Sequence, residues 1–262
     1  MSALPLVTVH AQTAVGDGLY ELTFDAPADL ARTPAEPGQF VHIRVSDSFD
    51  YLLRRPLSVC RADPARNRLT VVYRAAGPGT RRLARAGAGD RLDVLGPLGR
   101  GFPLHAGDAR ALLIGGGIGV PPLVELARRL RAAGVAVAAA VGYQTAAQAV
   151  LWRELRACGE LFIATDDGTL GAPGLVTGLL TKGLCATANR YYACGPTPML
   201  RAVQARMRAF AVPGYLSLEE RMGCGIGLCA GCVHPVLRDG SVKNVKTCRE
   251  GPVFPADEVV FA

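Results

Sequence analysis

Four cysteines near the C-terminus are the residues whose type and spacing could most directly do chemistry. They are Cys224, Cys229, Cys232 and Cys248, in the pattern C-x4-C-x2-C-x15-C. The other four cysteines of the chain are isolated from one another, so this clustering favours a metal centre over a set of disulfides. Glycines lie among the first three cysteines, where they let backbone N–H groups turn toward bound sulfur. They are Gly223, Gly225, Gly227 and Gly231.

The spacing indicates which metal centre these cysteines would hold. Its C-x4-C-x2-C part is the spacing of a plant-type [2Fe–2S] loop. A structural zinc site is the alternative, but zinc sites usually contain two close cysteine pairs, and here there is one C-x2-C pair. His234 could replace a cysteine in a Rieske-like site, although four cysteines already suffice. We therefore predict a [2Fe–2S] cluster on the four cysteines.

Length and composition set the limits within which this centre must be placed. The chain has 262 residues, enough for two domains with buried cores and a small appendage. Its net charge of +7 comes from scattered arginines and no dense basic block, which disfavours a nucleic-acid partner. The start, Met1 to Pro5, shows no signal sequence, and the apolar runs are too short or too broken to span a bilayer. We expect a cytoplasmic protein that does not enter a membrane.

The first hundred residues contain short segments in which apolar and polar side chains alternate. These segments are Val7 to His10, Tyr20 to Phe24, Phe40 to Val45 and Leu69 to Arg74. Turn residues such as glycine, proline and aspartate separate them. Short strands at this spacing predict a small antiparallel β-barrel.

Three parts of this predicted barrel could bind an anionic ligand. The segment Arg55-Pro56-Leu57-Ser58 offers a guanidinium and a hydroxyl, and the planar guanidinium suits a diphosphate. In Val72-Tyr73-Arg74, alternation puts the aromatic ring and the cation on opposite faces. Gly77-Pro78-Gly79-Thr80 opens a short helix, whose first N–H groups are free. Each motif alone is more often a solvated turn or a plain helix start, but together and in this order they match a flavin-binding barrel.

At Ala109 the pattern changes to that of an α/β domain. Ala111 to Ile114 is a continuous apolar run, as expected of a strand buried on both faces of a parallel sheet. The glycine turn Gly115-Gly116-Gly117-Ile118-Gly119 follows directly, and a helix is predicted from Leu123 to Ala133. A strand, a glycine turn and a helix in this order let a pyrophosphate approach the backbone, although the spacing is not G-x-G-x-x-G. The alternation of strand and helix continues over 135–141, 148–157, 161–164 and 175–180.

Two further segments lie where predicted strands end. Cys194-Gly195-Pro196 ends a strand and precedes a helix that begins near Pro198. Ligands of open α/β sheets bind at the carboxyl ends of strands, so Cys194 would lie at the binding edge, or else pack as a small buried thiol. Asp166 and Asp167 also end a strand, where they could bond ribose hydroxyls or cap a turn.

In their order along the chain, these motifs resemble the ferredoxin–NADP reductase superfamily. More narrowly, they resemble the electron-transfer subunits of NAD-dependent (type B) dihydroorotate dehydrogenases. The most specific part of the resemblance runs from Ser217 to Cys232, with Cys248 to Phe254 closing it. The gap of 15 residues before the last cysteine fits this subunit family better than a plant-type ferredoxin domain.

The resemblance implies a multidomain architecture and a set of cofactors. It implies an antiparallel β-barrel that binds FAD over 1–105, an α/β parallel-sheet domain that binds NAD(H) over 106–216, and a small [2Fe–2S] domain over 217–262. It carries over as flavin contacts Arg55, Pro56, Leu57, Ser58, Val72, Tyr73, Arg74, Gly79 and Thr80. The expected nucleotide contacts are Gly115, Gly116, Gly117, Ile118, Gly119, Cys194, Gly195 and Pro196. The implied partner is a catalytic subunit that holds FMN and oxidises dihydroorotate, in a heterotetramer with two copies of each subunit.

The cofactors predict the order of electron transfer. Nicotinamide exchanges two electrons as a hydride, a [2Fe–2S] cluster exchanges one, and a flavin does both, so the flavin must lie between them. We expect no catalytic acid–base residue for the hydride step. Two alternatives stay open: a reductase that serves another acceptor, such as ferredoxin or a sulfide- or glutamate-linked partner, and a non-catalytic redox-sensing or zinc-binding adaptor.

Overall fold

A computed structural model describes residues 6–30, 32–46 and 48–261 of the protein. Met1 to Pro5, in which no signal sequence was expected, lie outside these residues. Within the described ranges, no helix is both long and apolar enough to cross a membrane.

The N-terminal part folds as a closed antiparallel barrel of six strands, which confirms the barrel prediction. The strands are β1 (Leu6–Gly16), β2 (Leu19–Asp25), β3 (Phe40–Arg44), β4 (Arg55–Asp63), β5 (Arg68–Arg74) and β6 (Arg91–Leu98). Their order around the barrel is β1-β2-β5-β4-β3-β6, and β6 pairs with β1 to close it. A 3-10 helix, Phe49–Tyr51, precedes β4, and the short helix α1 (Pro78–Leu83) follows β5. Alternate side chains of each strand fill the barrel interior.

Strands β4 and β6 are not among the segments predicted from alternation. Pro56 is the second residue of β4, and Gly96-Pro97 lies inside β6. Proline lacks an N–H and is tolerated in a sheet mainly at strand starts and irregular pairings. The pairing of β3 with β6 shifts register between Phe40 and His42, next to this Gly-Pro pair. Proline and glycine therefore interrupt the sequence pattern of β4 and β6, so alternation did not predict these two strands, although the barrel needs both in order to close.

The middle of the chain forms an α/β layer. Its strands are β7 (Arg110–Gly116), β8 (Ala136–Tyr143), β9 (Glu160–Thr165), β10 (Ala172–Pro173), β11 (Arg190–Cys194) and β12 (Gly214–Ser217). Its helices are α2 (Pro121–Ala132), α3 (Trp152–Cys158), α4 (Lys182–Ala186) and α5 (Thr197–Ala209). The strands lie in the order β10-β9-β8-β7-β11-β12, and all these neighbours are parallel. The predicted parallel-sheet domain is therefore confirmed.

The central strand β7 is buried on both faces, as its apolar run predicts. Leu113 packs into the core shared with α2, while Leu112 and Ile114 pack into the core on the other face. The 3-10 helix Gly117–Gly119 joins β7 to α2. The helical segment predicted at 175–180 is present as a short 3-10 helix, Val176–Leu179. Gly178 lies within this turn and disfavours helix propagation.

The barrel and the sheet share one hydrophobic core. Helix α2 packs against β4, and Cys60 of β4 belongs to the same buried cluster as Leu123 of α2. Arg61 of β4 forms an ion pair with Glu21 of β2. Nη1 of Arg61 also lies 3.8 Å from Oε1 of Glu154 in α3, which adds a second contact between the barrel and the α/β layer. Because both parts contribute to a single core, their relative position is fixed by packing.

The C-terminal segment is built of a hairpin and one strand that joins the sheet. The hairpin consists of β13 (Val233–Arg238) and β14 (Ser241–Lys246), and the last strand is β15 (Val253–Pro255). Strand β15 pairs antiparallel with β12 and becomes the seventh strand of the sheet. The cysteine-bearing chain is thus tied at both ends to the α/β layer. The division into 1–105, 106–216 and 217–262 stays a prediction.

Candidate functional site

The cysteine loop packs against the outside of the barrel. Buried Cys232 and Cys248 form a small hydrophobic cluster with Met222 and with Phe40 of β3. Leu98 of β6 covers the edge of this cluster. The loop therefore lies on the β3–β6 side of the barrel and does not project freely into solvent.

The four sulfur atoms are arranged as two pairs. The N–H of Cys229 donates to Sγ of Cys224 at 3.4 Å, and the N–H of Cys248 donates to Sγ of Cys232 at 3.4 Å. Four cysteine thiolates are the ligand set that would hold a [2Fe–2S] centre. The donor set therefore fits that group.

The pKa of a cysteine thiol is shifted in opposite directions in the two pairs. Burial raises the pKa of Cys224, but N–H groups, led by that of Cys229, outweigh burial and lower it to about 6. Burial and then the neighbouring Cys232 raise the pKa of Cys248 to about 12. A thiolate is the form that binds metal, so positive charge at the centre must compensate the buried pair.

Two loop glycines have the backbone conformation that glycine favours. Gly225 and Gly227 have φ of +73° and +86°. At Gly225 a side chain would also collide with the barrel, because a Cβ atom would lie 2.4 Å from Nδ1 of His42. Burial, followed by the positive charge of Arg54, lowers the pKa of His42 and so favours the neutral ring. His42 is thus the barrel residue that meets the backbone of the loop.

His234, the residue considered for a Rieske-like site, has another partner. Its Nδ1 lies 2.8 Å from Oε1 of Glu220. Its ring also meets the ring of Phe261 edge to face at 6.2 Å. This arrangement supports a structural role for His234 beside the four cysteines.

A cavity of about 840 Å³ lies between the barrel, the carboxyl ends of the sheet strands and the cysteine segment. Sixteen of the predicted binding residues line it: Arg55, Pro56, Leu57, Ser58, Val72, Tyr73, Arg74, Gly79, Thr80, Gly116, Gly117, Ile118, Gly119, Cys194, Gly195 and Pro196. Gly115 does not line it, since it is packed against Val120 and Leu123. The structure thus brings together the two sets of residues that the sequence assigns to a flavin and a nucleotide.

On the barrel side, Arg55 lies directly on the start of helix α1. A Cβ atom at Gly79 would fall 2.3 Å from the guanidinium of Arg55, so glycine permits this contact. Arg55 also donates to the carbonyl of Leu53. Thr80 caps the helix through hydrogen bonds of 3.1 Å with the N–H and carbonyl of Gly77. A fixed guanidinium beside a tight backbone turn suits a diphosphate.

Tyr73 and Arg74 point to opposite sides of β5, as their alternation predicts. The Tyr73 ring stacks on Tyr20 in the barrel and donates its hydroxyl to Gln12 at 2.9 Å. Arg74 donates to Gln148 across the cavity, while its buried Nε has no partner among the described residues. Buried polar groups are normally hydrogen-bonded. An unpaired guanidinium donor at this cavity therefore fits an anionic cofactor.

The glycine turn after β7 combines close packing with one open position. A Cβ atom at Gly119 would lie 2.3 Å from the carbonyl oxygen of Cys194, and one at Gly116 would lie 2.4 Å from Sδ of Met199. Gly117 has φ of +53°, and a Cβ atom built there would meet no described atom nearer than the guanidinium of Arg74, at 3.8 Å. Gly119 therefore lets the turn approach the end of β11, Gly116 lets β7 approach helix α5, and Gly117 presents open backbone to the cavity.

Cys194 lies at the end of β11, where it lines the cavity as a buried thiol. Burial raises its pKa to about 12, and a hydrogen bond with Ser217 offsets only part of that effect. Ser217 ends the neighbouring strand β12 and lines the same cavity. Cys194 is therefore a neutral thiol beside the ligand space.

The acidic pair after β9 divides between the two roles that the sequence left open. Asp167 accepts hydrogen bonds from the N–H and the hydroxyl of Thr169, which caps the turn. Asp166 lines the cavity with Gln144 at the end of β8. A carboxylate at this edge can bond ribose hydroxyls.

Several residues that line the cavity are absent from the predicted set. They include Phe40, Tyr143, Gln144, Gln148, Thr177, Ser217, Glu219, Glu220 and Met222. Ser217 and Gln144 could have been found from the rule that ligands bind at the carboxyl ends of strands. Phe40 had no such signal, because its alternation indicates only a strand.

Comparison with known proteins identifies the family. Residues 219–260 match the family described as the iron–sulfur cluster binding domain of dihydroorotate dehydrogenase B. The "Dihydroorotate dehydrogenase B (NAD(+)), electron transfer subunit" of Geobacillus thermodenitrificans is 49% identical over 97% of this chain and 98% of its own length. The chain belongs to this family. The subunit of the same name from Shouchella clausii is 44% identical over 97% of both chains.

Solved structures agree with this assignment. The NADH-dependent reduced ferredoxin–NADP oxidoreductase superposes with a TM-score of 0.85 and 28% identity, over 99% of this chain and 91% of the other. Phthalate dioxygenase reductase, at 18% identity and a TM-score of 0.65 over 93% and 94% of the two chains, shares the fold. The predicted superfamily and narrower family are both confirmed.

Replacing Cys248 by serine should remove the iron–sulfur centre and leave the flavin. Cys248 supplies one sulfur of the buried pair, and serine is a poor ligand for iron in this position. Iron and acid-labile sulfide should fall from about two per chain to near zero. FAD content and NADH oxidation by an artificial acceptor should persist. The matched control is Cys158→Ser, outside the loop; retention of the centre in Cys248→Ser would show that the ligand set is wrong.

Replacing Arg55 by alanine should weaken FAD retention. A charge-assisted hydrogen bond contributes about 1.5–3 kcal/mol, so affinity should fall on the order of ten- to a hundredfold. The measurement is flavin absorbance per chain after gel filtration, with a titration of FAD into the stripped protein. Arg66→Ala is the control, because Arg66 lies on the same barrel and pairs with Asp63 at the surface. Equal flavin content in both variants would contradict the assigned role.

Proposed function

We propose that this chain is the electron-transfer subunit of an NAD-dependent dihydroorotate dehydrogenase of pyrimidine biosynthesis. It would pass electrons between a catalytic subunit that oxidises dihydroorotate and NAD+. The observation that carries this proposal is the single cavity bounded by the barrel, the glycine turn and the cysteine segment. The family relationship, over almost the whole chain, supports the same function.

The residues of the barrel would hold FAD, and the four cysteines would hold the [2Fe–2S] centre. When bound, the flavin supplies the conversion between hydride transfer and one-electron transfer, and the iron–sulfur centre carries single electrons. Arg55 and the turn at Gly79 would bind the diphosphate. Phe40 and Met222 form the apolar wall between the cavity and the buried cysteines. This wall excludes water from the space between the two cofactors.

The carboxyl edge of the sheet would bind and orient the nucleotide. Gly117 offers open backbone for a pyrophosphate, and Asp166 offers a carboxylate for ribose hydroxyls. Burial keeps the thiol of Cys194 protonated, so it supplies no charge to the reacting ring. Orientation of nicotinamide against flavin is then the contribution of the protein, and we assign no acid–base residue to the step.

The exposed tip of the cysteine loop would face the catalytic subunit. Leu228 is 79% exposed and Ile226 is 48% exposed, and both lie between Cys224 and Cys229. Apolar side chains exposed beside a redox centre suit a contact through which electrons cross. We further propose that the partner holds FMN and that the complex is a heterotetramer with two copies of each subunit.

Reconstitution with the partner tests this function. The chain should be co-expressed with an FMN-containing dihydroorotate dehydrogenase subunit, and NAD+ reduction by dihydroorotate should be followed at 340 nm, the usual wavelength for NADH. We expect a stable complex whose NAD+ reduction requires both chains. If NADH reduces the flavin but no complex forms, the chain is a reductase for another acceptor. A colourless protein that contains zinc would contradict both functions.

Replacing Leu228 by aspartate should weaken binding to the catalytic subunit. The substitution places a charge where the complex would bury an apolar side chain, so the dissociation constant should rise by tenfold or more. Sedimentation velocity of mixed subunits measures the association. Val242→Asp is the matched control, since Val242 is 62% exposed on the hairpin strand β14. Unchanged iron content would show that Leu228→Asp leaves the loop folded, and equal binding by both variants would place the interface elsewhere.

A further inference from the structure

His42 is a buried polar side chain that the proposed function leaves unused. It is 0% exposed, and neither ring nitrogen makes a hydrogen bond of full geometry among the described residues, while the backbone of Cys224 and that of Arg54 approach the ring. A neutral imidazole has one N–H donor and one acceptor nitrogen. Leaving both unsatisfied in a protein interior costs free energy, so such a residue calls for an explanation.

The position of His42 on its strand directs the ring toward the cysteine loop. Val41 and Ile43 fill the barrel interior, so Phe40 and His42 project from its outer face. Phe40 contacts the cluster of Cys232 and Cys248, and its ring meets that of His42 edge to face at 6.5 Å.

Contact with the loop occurs one residue after the first cysteine. Nδ1 of His42 lies 2.4 Å from the position that a Cβ atom of Gly225 would take. His42 lines neither the 840 Å³ cavity nor a second cavity of about 630 Å³ between residues 50–56 and 219–222. A ligand in either cavity is therefore not the missing partner of the ring.

We propose that His42 is a positioning residue for the iron–sulfur centre. Its ring would hold a buried N–H group toward the sulfur atoms of that centre. This inference rests on the proposed function. The reduced centre carries one more negative charge than the oxidised one, so an N–H donor stabilises the reduced form and raises the reduction potential. The ring also fixes the backbone of the loop at Gly225.

The first test measures the potential of the centre in the intact chain with FAD and iron bound. EPR-monitored redox titrations should compare the wild type with His42→Phe and His42→Gln. In His42→Phe the equilibrium constant for reduction should fall at least tenfold, which is 59 mV for one electron. His42→Gln keeps an N–H donor and should recover part of this loss. The flavin potential should not change.

The control variant removes a histidine from a different part of the fold. His105 bonds to the hydroxyl of Tyr215 at 3.0 Å and is not a member of the cluster that contains Cys232 and Cys248. His105→Phe should leave the potential of the centre at its wild-type value. A wild-type potential in His42→Phe as well would overturn the proposal and reduce His42 to a packing residue.

A second test covers the case in which His42→Phe fails to assemble the centre. Thermal unfolding of wild type and His42→Leu should be compared with and without iron, with FAD present throughout. Without iron, the apolar variant should unfold at the same or a higher temperature, because an unsatisfied buried group is gone. With iron, the wild type should be the more stable protein. An equal loss in both states would indicate packing alone and would overturn the proposal.

The two proposals fail in different ways. A wild-type chain that binds no iron and sulfide overturns the proposed function and the role of His42 together. A wild-type chain with the centre in place, and with the same potential in all three variants, overturns the role of His42 alone.

Discussion

The proposed path of electrons depends on the contact between the cysteine loop and the outer face of strand β3. Electrons pass between cofactors only over short distances, so the loop must stay against the barrel that would hold the flavin. Two attachments hold it there. The apolar cluster of Phe40, Met222, Cys232 and Cys248 fills the contact itself. Strand β15 then returns the chain to the sheet beside β12, so the loop cannot swing away without losing sheet hydrogen bonds.

The same logic explains why the barrel and the sheet share a core. A site built from the ends of two layers keeps its geometry only if the layers do not move against each other. Helix α2 packs on β4, and the backbone of Asp17 bonds to Ala147 of the other layer at 3.0 Å. Arg74 crosses the remaining gap to Gln148. The cavity is thus held from both sides, and the unpaired Nε of Arg74 is left for what binds inside it.

Sequence patterns predicted the elements whose signals are local. Alternation predicted four barrel strands, the apolar run predicted β7, and cysteine spacing predicted the metal centre. What they missed depends on distant partners. Strands β4 and β6 contain prolines and exist because the barrel closes, and β15 exists because β12 offers an open edge. His42 is one alternating residue of a strand, and nothing local shows that a glycine from position 225 covers its ring.

The two cysteine pairs differ in burial, so the loop has a buried side and an exposed side. Cys232 and Cys248 are buried against Phe40 and Met222, which themselves line the cofactor cavity. Cys229 is exposed, and the side chains between it and Cys224 include Leu228, the most exposed apolar residue of the loop. One pair therefore faces the flavin side through a dry apolar wall, and the other faces solvent. Residues 224–232 and the distant Cys248 would therefore connect the buried cavity to a surface that a partner can reach.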